Sequence, residues 1–456
     1  MNRHTVVARL GVDDRAQVPA RVGDRVTDLP FIDGRRRLGF GLGDVLHQMR
    51  DLGVRPSEPA LDLALLGATL TAADTRISRA VDGQDGWSRE IDLVIPVTDP
   101  RVWDAQAGLL KRMLDFLTGD RWRVRFRPRP NSARELTFAP GLVPPAAYTS
   151  VGLFSGGLDS YIGAIDRVGA RERQLLFGHW WDGTTSAYQR GAFEQLQAAH
   201  GPRTPSLVRA KVGFRRNIFT GQPTEQTLRG RSFLFFSLAA LGASALDQED
   251  VTIHVPENGL ISLNVPLDPL RLGAYSTRTT HPFYMARWND LLAGLRLRGR
   301  LVNPYQYKTK GEMVAECADP ALLDRTAVST MSCSSPAKHR WDRNGRGRIA
   351  HCGYCVPCLI RRAALQRGLG RDDTDYIQDD LWSQPLNSRR ARGEHVRSFQ
   401  IAADRLRRRP RSAKTLIHQT GPLFDYPDRL DDIERVYREG LAEVSGLLQG
   451  VVSKPL

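Results

Sequence analysis

The stretch Val151-Gly152-Leu153-Phe154-Ser155-Gly156-Gly157-Leu158-Asp159-Ser160 determines how the rest of the chain is interpreted. Its first four residues form an apolar run typical of the end of a buried strand, and a helical pattern begins at Ser160. The two glycines between them let the backbone turn tightly and aim its N–H groups at an anion, while the helix adds the positive end of its dipole. Ser155 and Ser160 offer hydroxyl donors, and Asp159 would cap the turn or position Mg²⁺. The predicted nucleotide-binding residues of this phosphate loop are Ser155, Gly156, Gly157, Leu158, Asp159 and Ser160.

The residues around this loop alternate between strand and helix patterns. Strands are expected at 148–154, 174–179, 206–212 and 250–255, and helices at 160–168, 185–199 and 232–246. Such alternation is typical of an α/β fold, in which a parallel sheet carries helices on both faces. Ligands of such sheets bind at the carboxyl ends of the strands, so the loops after Phe154, His179, Val212 and Val255 are expected to form the site. His179 is accordingly a further candidate for nucleotide binding.

Four of the five cysteines form a pattern typical of a metal site. The predicted metal ligands are Cys333, Cys352, Cys355 and Cys358. Four thiolates satisfy a tetrahedral Zn²⁺, and a closed four-cysteine site is structural and not catalytic. An iron–sulfur site or a redox pair is the alternative interpretation, and His351 is a reserve ligand. Cys317 lies in an expected helix at 311–318 and is interpreted as a small core residue.

The phosphate loop and the cysteine pattern together resemble one known family. The loop matches the Ser-Gly-Gly-x-Asp-Ser signature of the PP-loop superfamily, and no Gly-Lys-Ser/Thr follows as it would in a Walker A loop. The segment Cys352-Gly353-Tyr354-Cys355-Val356-Pro357-Cys358-Leu359-Ile360-Arg361 resembles the cysteine region of QueC, the 7-cyano-7-deazaguanine synthase family. Arg229-Gly230-Arg231-Ser232-Phe233 and residues 308–314 resemble two further QueC elements. The resemblance covers roughly residues 148–366.

This resemblance implies an ATP-consuming enzyme that forms C–N bonds. QueC-like enzymes split ATP into AMP and pyrophosphate, adenylate the carboxylate of a 7-deazaguanine, and let a nitrogen nucleophile attack. The implied cofactors are ATP, Mg²⁺ and Zn²⁺, and the family suggests a homodimer. Cationic side chains would neutralise the phosphates and the charge that develops at the α-phosphorus. The predicted catalytic residues are Ser155, Asp159, Arg229, Arg231, Lys308 and Lys310.

The chain extends beyond the QueC resemblance at both ends. Residues 1–145 are predicted to form an α+β module, with a strand at 91–97 and another at 121–127 whose outer face carries alternate arginines. A Pro-rich segment at 138–145 is interpreted as a linker, residues 146–370 as the QueC-like domain with its zinc site, and residues 371–456 as a helical extension. This architecture resembles the QueC-like proteins of the Qat anti-phage defence system. That resemblance implies transfer of the deazaguanine carboxylate to the N-terminal amine of a partner protein from the same operon.

Composition favours a soluble globular protein and leaves other functions open. Hydrophobic residues make up 41 % of the chain, and no apolar run approaches the ~20 residues that cross a bilayer. The first residues lack the apolar core of a secretory signal, so a cytoplasmic location is expected. The net charge of +15 favours a polyanionic partner, although nucleic acid is not the preferred one. The alternatives are a plain synthase that uses ammonia, a tRNA-modifying PP-loop enzyme and a non-catalytic nucleotide-sensing scaffold.

Overall fold

The computed structural model describes residues 3–19, 22–32, 37–138, 148–219, 223, 225, 227–268, 278–338, 340 and 347–456. All but the first residue of the predicted linker at 138–145 lies outside these ranges. None of the helices in the described ranges is both long enough and apolar enough to span a membrane.

The N-terminal module is built on a four-stranded parallel sheet. Its strands are β1 (His4–Leu10), β2 (Arg25–Ile32), β3 (Glu90–Val97) and β4 (Arg121–Pro128), in the order β2-β1-β3-β4. Its helices are α1 (Leu42–Asp51), α2 (Glu58–Arg76), α3 (Arg79–Asp82), α4 (Pro100–Asp104) and α5 (Ala107–Thr118). The expected α+β arrangement is therefore corrected to an α/β one, because parallel neighbours require crossover connections and helices supply them between β2, β3 and β4.

The arginines on the outer face of β4 are paired within the module. Arg123 and Arg125 both form ion pairs with Asp92 on β3, and Arg127 lies 2.6 Å from Asp14, which follows β1. Asp92 and Arg123 are directly opposite in the parallel register. Because these cations are already neutralised by carboxylates on neighbouring strands, they do not form a bare basic surface.

The central domain contains a five-stranded parallel sheet in the order β7-β6-β5-β8-β9. The strands are β5 (Ser150–Leu153), β6 (Gln174–His179), β7 (Ser206–Ala210), β8 (Thr252–His254) and β9 (Arg300–Val302). The chain runs outward from β5 in one direction through β6 and β7, and in the other through β8 and β9. The topological switch point, where ligands bind in open parallel sheets, therefore lies between the carboxyl ends of β5 and β8.

Helices cover both faces of this sheet, as the alternating pattern predicts. They are α6 (Leu158–Gly169), α7 (Gly183–His200), α8 (Arg231–Ala243), α9 (Gly259–Leu263), α10 (Pro282–Gly294), α11 (Lys310–Ala315), α12 (Pro320–Thr326) and α13 (Val356–Leu369). Apolar side chains of α6, α7, α11, α12 and α13 form one core cluster, and those of α8 and α10 join a second. The α/β fold with helices on both faces is confirmed.

The second of these clusters also contains the core of the N-terminal module. Helix α2 is almost entirely buried because it lies between its own sheet and α8. The two helices approach closely: a Cβ placed on Gly67 of α2 would lie 2.8 Å from the Ser237 hydroxyl of α8. The module and the central domain thus share one continuous apolar core.

The C-terminal region is helical, as predicted, and packs against the central domain. It contains α14 (Ala391–Arg408), α15 (Ala413–Leu416) and α16 (Leu430–Leu447), together with a short parallel pair, β10 (Leu386–Asn387) and β11 (Ser453–Lys454). Helix α16 packs against α13 and α9. A Cβ on Gly440 would lie 2.9 Å from Leu260 of α9, so this contact depends on the small residue.

Candidate active site

The phosphate loop lies at the carboxyl end of β5 and is shaped by its own serines. Ser155 N–H donates to Ser160 Oγ (3.2 Å), Gly157 N–H donates to Ser155 Oγ (3.2 Å), and Ser160 Oγ donates to the Gly157 carbonyl (3.0 Å). Gly156 has φ +81°, and a Cβ there would lie 2.7 Å from Gln189 Cα on α7. A side chain at this position would be both strained and obstructed, so the turn requires glycine.

Asp159 joins the phosphate loop to two other elements. Its Oδ2 accepts hydrogen bonds from Asn258 N–H (3.1 Å) and from the Asn258 amide (2.8 Å), just after β8. Its Oδ1 lies 2.7 Å from Lys310 Nζ at the start of α11. Asp159 and Lys310 are both buried, so their attraction is weakly screened by solvent. These contacts place the predicted residues Asp159 and Lys310 together at the switch point.

A second carboxyl group, that of Glu257, lies beside Asp159. Burial opposes ionisation of Asp159, but the Lys310 ammonium and hydrogen bonds from Glu257 and Asn258 outweigh it and lower the pKa of Asp159. Burial and the negative charge of Asp159 raise the pKa of Glu257 well above its usual value. These opposed shifts favour the state in which Asp159 is ionised and the proton resides on Glu257.

A cleft of about 520 Å³ opens beside the phosphate loop. Its walls come from the phosphate loop, the start of α7, the residue that opens α8 and the segment before the cysteine cluster; they include Ser155, Trp181, Tyr188, Arg231, Cys333 and Ser334. Arg231 lies over the Phe235 ring at 4.9 Å, and its Nε has no hydrogen-bond partner among the described residues. A guanidinium at the wall of a cleft suits an anionic ligand.

His179 lies at the end of β6, close to Arg231. Its Nε2 is 3.3 Å from the Val212 carbonyl, and its ring is 5.2 Å from that of Phe235. Burial and the neighbouring Arg231 charge lower the pKa of His179 to about 4, so the imidazole is neutral at pH 7. His179 is not among the residues that line the cleft, and its neutral imidazole hydrogen-bonds to the Val212 carbonyl behind Arg231.

Two predicted catalytic cations lie away from the cleft in this structure. Arg229 donates to the Thr118 carbonyl (2.9 Å) and stacks over Trp87 at 5.0 Å, both in the N-terminal module. Lys308 pairs with Glu316 at 2.6 Å near the surface. Arg229 and Arg231 diverge although only Gly230 separates them, because Arg231 opens α8 whereas Arg229 precedes it. The structure thus brings Arg231 and Lys310 to the site and leaves Arg229 and Lys308 outside it.

The four predicted metal ligands converge into one buried cluster. The sulfur atoms of Cys333, Cys352, Cys355 and Cys358 all lie within 4.8 Å of one another. The Cys333–Cys355 and Cys352–Cys358 sulfur distances are both 3.9 Å. Tetrahedral Zn²⁺ with bonds near 2.3 Å requires sulfur atoms about 3.8 Å apart, so the donor set and its spacing fit zinc.

Backbone geometry around this cluster is also that of a metal knuckle. Cys355 N–H donates to Cys352 Sγ (3.3 Å) and Cys352 N–H to Cys333 Sγ (3.5 Å), which would stabilise negative sulfur. Gly353 has φ +85°, and a Cβ there would lie 2.2 Å from the Gln378 carbonyl. The reserve ligand His351 instead accepts from Ser332 N–H (3.1 Å). Cys317 is buried in the core around α6 and α11, as expected.

Several residues of the site were not predicted from the sequence. Glu257 and Asn258 follow β8, where a loop of the site was expected without any residue being assigned, and Tyr188 lies one turn into α7. The sequence signal for the first two was polarity directly after an apolar strand at the switch point. Tyr188 belongs to a helix whose pattern is that of an ordinary surface helix, and nothing in its spacing marks it.

Comparison with known proteins supports the family that the motifs predict. No family model matches the chain. The chain is 26 % identical over 152 residues to 7-cyano-7-deazaguanine synthase 1 of Mesorhizobium japonicum, covering 33 % of this chain and 55 % of that protein. It is 30 % identical over 92 residues to 7-cyano-7-deazaguanine synthase of Paracoccus denitrificans, covering 20 % and 34 %. The chain thus spans about half and a third of the curated relatives it matches, and over that part it is similar to QueC-like synthases, enzymes of the PP-loop kind.

Proposed function

We propose that this protein adenylates the carboxylate of a 7-deazaguanine with ATP and passes the acyl group to a nitrogen nucleophile. The observation that carries the proposal is the shared cleft, since Ser155 of the phosphate loop, Arg231 and Cys333 all line it. The relatives named as 7-cyano-7-deazaguanine synthases supply the substrate class. Neither a phosphate loop nor a cysteine cluster alone would point to that chemistry.

In the first step, a carboxylate oxygen of the substrate attacks the α-phosphorus of ATP. The bond to the bridging oxygen breaks and pyrophosphate leaves, which gives an acyl adenylate. The start of α6 and Arg231 would bind the phosphates, and Asp159, held by Lys310 and Asn258, would keep the loop in its conformation. Mg²⁺ takes oxygen ligands and usually binds with the nucleotide phosphates; Asp182 lines the cleft, and Asp159 is the carboxylate of the phosphate loop itself.

In the second step, the nitrogen nucleophile attacks the acyl carbon and AMP leaves. The nitrogen loses a proton, and a C–N bond remains. With ammonia the product is an amide, and a second round of activation removes its oxygen to give the nitrile that the relatives' names describe. With the N-terminal amine of a partner protein, the reaction stops at a modified protein, and the added N- and C-terminal regions would serve an anti-phage defence system of the Qat kind.

Pyrophosphate release and product mass test these steps. Purified protein with ATP, Mg²⁺ and 7-carboxy-7-deazaguanine is expected to release pyrophosphate. Asp159→Asn should slow this release at least about a hundredfold and Ser155→Ala about tenfold, because each removes a contact that shapes the loop. Arg371→Ala, which breaks an exposed ion pair with Asp324, is the matched control. Wild-type protein that releases no pyrophosphate with this acid would contradict the proposal.

The acceptor is identified in a parallel reaction. Mass spectrometry after addition of ammonium, or of the protein encoded by the neighbouring gene, distinguishes a nitrile from a modified polypeptide. A nitrile formed with ammonium alone supports the plain synthase. An unchanged intact mass of the neighbouring protein, with nitrile formed, would rule out the protein acceptor.

A further inference from the structure

The segment that carries Arg231 into the cleft is held by the N-terminal module. Gly230, the residue before Arg231, donates its N–H to Asp74 Oδ2 of α2 at 2.8 Å. Arg229 donates to the Thr118 carbonyl at the end of α5. Arg79 adds a contact to Thr227. Of the six described residues between 220 and 230, four are therefore bonded to the module: Glu225, Thr227, Arg229 and Gly230.

Asp74 is itself rigidly held in a buried network. Its Oδ1 accepts from Arg89 Nη2 (2.8 Å) and from Arg79 Nη2 (3.2 Å), and both arginines also pair with Asp120. Asp74, Arg89 and Asp120 are each no more than 1 % exposed. With Oδ1 committed to two guanidinium groups, Oδ2 has a single position, and this position determines where the Gly230 amide lies.

We propose that Asp74 is a positioning residue for Arg231, so that the N-terminal module is a structural part of the ATP site. Arg231 begins α8 one peptide unit after the bond to Asp74, and α8 also packs on α2 at Gly67. Movement of the Gly230 amide therefore moves the first turn of α8 and the guanidinium that lines the cleft. The effect on catalysis rests on the proposed function, whereas the effect on the loop does not.

Asp74→Asn tests this bond selectively. The two arginines attract the amide oxygen to the Oδ1 position, which leaves the NH₂ group facing the Gly230 N–H, donor against donor. The matched control is Asp62→Asn on the same helix. Asp62 is also buried, pairs with Arg129 through Oδ1, and accepts the Thr98 N–H (2.7 Å) through Oδ2. The control thus makes the same chemical change at a loop that does not reach the cleft.

Hydrogen exchange of full-length protein measures the position of the loop directly. Peptides covering residues 228–232 should exchange at least about tenfold faster in Asp74→Asn than in wild type, and should be unchanged in Asp62→Asn. Equal protection in Asp74→Asn and wild type would overturn the proposal. This measurement needs no turnover, so it stands even if the protein releases no pyrophosphate.

Kinetic measurements then distinguish a positioning role of Asp74 from a general effect of the substitution on stability. Asp74→Asn should lower kcat/KM for ATP in pyrophosphate release about tenfold, whereas Asp62→Asn with a similar unfolding midpoint should stay within twofold of wild type. In an Arg231→Ala background, Asp74→Asn should cause no further loss, since its effect passes through Arg231. An additive loss in that background, or equal losses in both aspartate variants, would show a structural role only.

Discussion

At the scale of single residues, the site depends on an unequal pair of carboxyl groups. Asp159 and Glu257 follow neighbouring strands at the switch point, and Lys310 faces only the first of them at 2.7 Å. The lysine favours the ionised form of Asp159, and the charge of Asp159 favours the protonated form of Glu257. Glu257 is thus available as a hydrogen-bond donor to Asp159, which a second ionised carboxylate would not be.

The first prediction concerns Glu257→Gln. A glutamate in the unfolded chain ionises as the pH rises through about 4.3, whereas the pKa of native Glu257 is raised well above its usual value. Between these two pKa values wild type binds more protons in the native state, so it loses stability there as pH rises. Glutamine keeps a donor and does not titrate. The free energy of unfolding of Glu257→Gln should therefore increase relative to that of wild type as the pH rises above about 5, up to the pKa of native Glu257. Urea unfolding at four pH values measures this difference, and parallel curves would contradict it.

The second prediction concerns Gly353→Ala. The positive φ of +85° costs alanine about 1–3 kcal/mol, and its Cβ would meet the Gln378 carbonyl at 2.2 Å. We expect zinc affinity to fall at least about tenfold, as measured by competition with a chromogenic chelator. Gly370→Ala, at φ +73° with open space around the Cβ, is the control for backbone strain alone. Equal affinities of the two variants would show that the contact with Gln378 is unimportant.

At the scale of elements, one segment joins the cysteine cluster to the phosphate loop. Met331 N–H donates to the Gly156 carbonyl (2.9 Å), and Cys333, two residues later, is a predicted metal ligand. The buried Arg361 of α13 fixes the start of this segment through Thr330 Oγ1 (2.7 Å) and the Ala327 carbonyl (2.7 Å). The cysteine cluster therefore supports the turn that is expected to bind phosphate.

The third prediction follows from this connection. Removal of metal by a strong chelator should lower the melting temperature and abolish ATP-dependent pyrophosphate release together, because the Met331 contact loses its anchor. Cys352→Ser should do the same without chelator, and Cys317→Ser should leave metal content unchanged, since Cys317 lies in the core around α6 and α11. Metal analysis and calorimetry are the measurements. Full pyrophosphate release by metal-free protein would contradict this dependence.

The helices and strands of the central domain were largely predictable from the sequence. The different directions in which Arg229 and Arg231, or Lys308 and Lys310, point were not. Strand β6 occupies the predicted residues because a fully buried parallel strand is a continuous apolar run. Arg229 and Lys308 were grouped with Arg231 and Lys310 because both segments resemble QueC elements. Residues that lie just before and just after the beginning of a helix point in different directions. Only the packing of α8 and α11 decides which of them faces the cleft.

At the scale of the whole molecule, buried neutral histidines link stability to pH. Burial and the Arg231 charge lower the pKa of His179 to about 4, and burial with the Arg278 charge lowers that of His281 to about 3. The unfolded chain binds protons at these positions near pH 6.5, while the native protein does not. Their contribution to stability is therefore complete above pH 6.5 and is lost as pH falls toward 4.

The fourth prediction is the size of this loss. For each of these histidines, the free energy of unfolding falls by about 1.4 kcal/mol per pH unit once that histidine is fully protonated in the unfolded state. His281→Asn should reduce the dependence of the unfolding free energy on pH between 6 and 4.5 by about that amount relative to wild type. His47→Asn, at an exposed position on α1, is the control. An unchanged slope in His281→Asn would contradict the assignment.

The extent of the shared core could not be predicted from the sequence. The strands at 91–97 and 121–127 were interpreted as part of a separate module, because periodicity shows which face of an element is buried and not what covers it. In the structure, α8 packs against α2, and α16 packs against α9. The division at residues 145 and 370 remains a prediction, because the structure joins these regions by packing and does not test whether each folds alone.

The close contact of α2 with α8 affects the order in which the protein can fold during its synthesis. Ser237 follows Gly67 by about 170 positions, which a ribosome needs roughly 10–30 s to add at ordinary rates. Throughout that interval α2, a helix whose residues are nearly all buried in the finished protein, has no α8 to cover it. The nascent chain therefore passes through a long exposed stage, during which molecular chaperones that bind apolar segments would have their main opportunity to act.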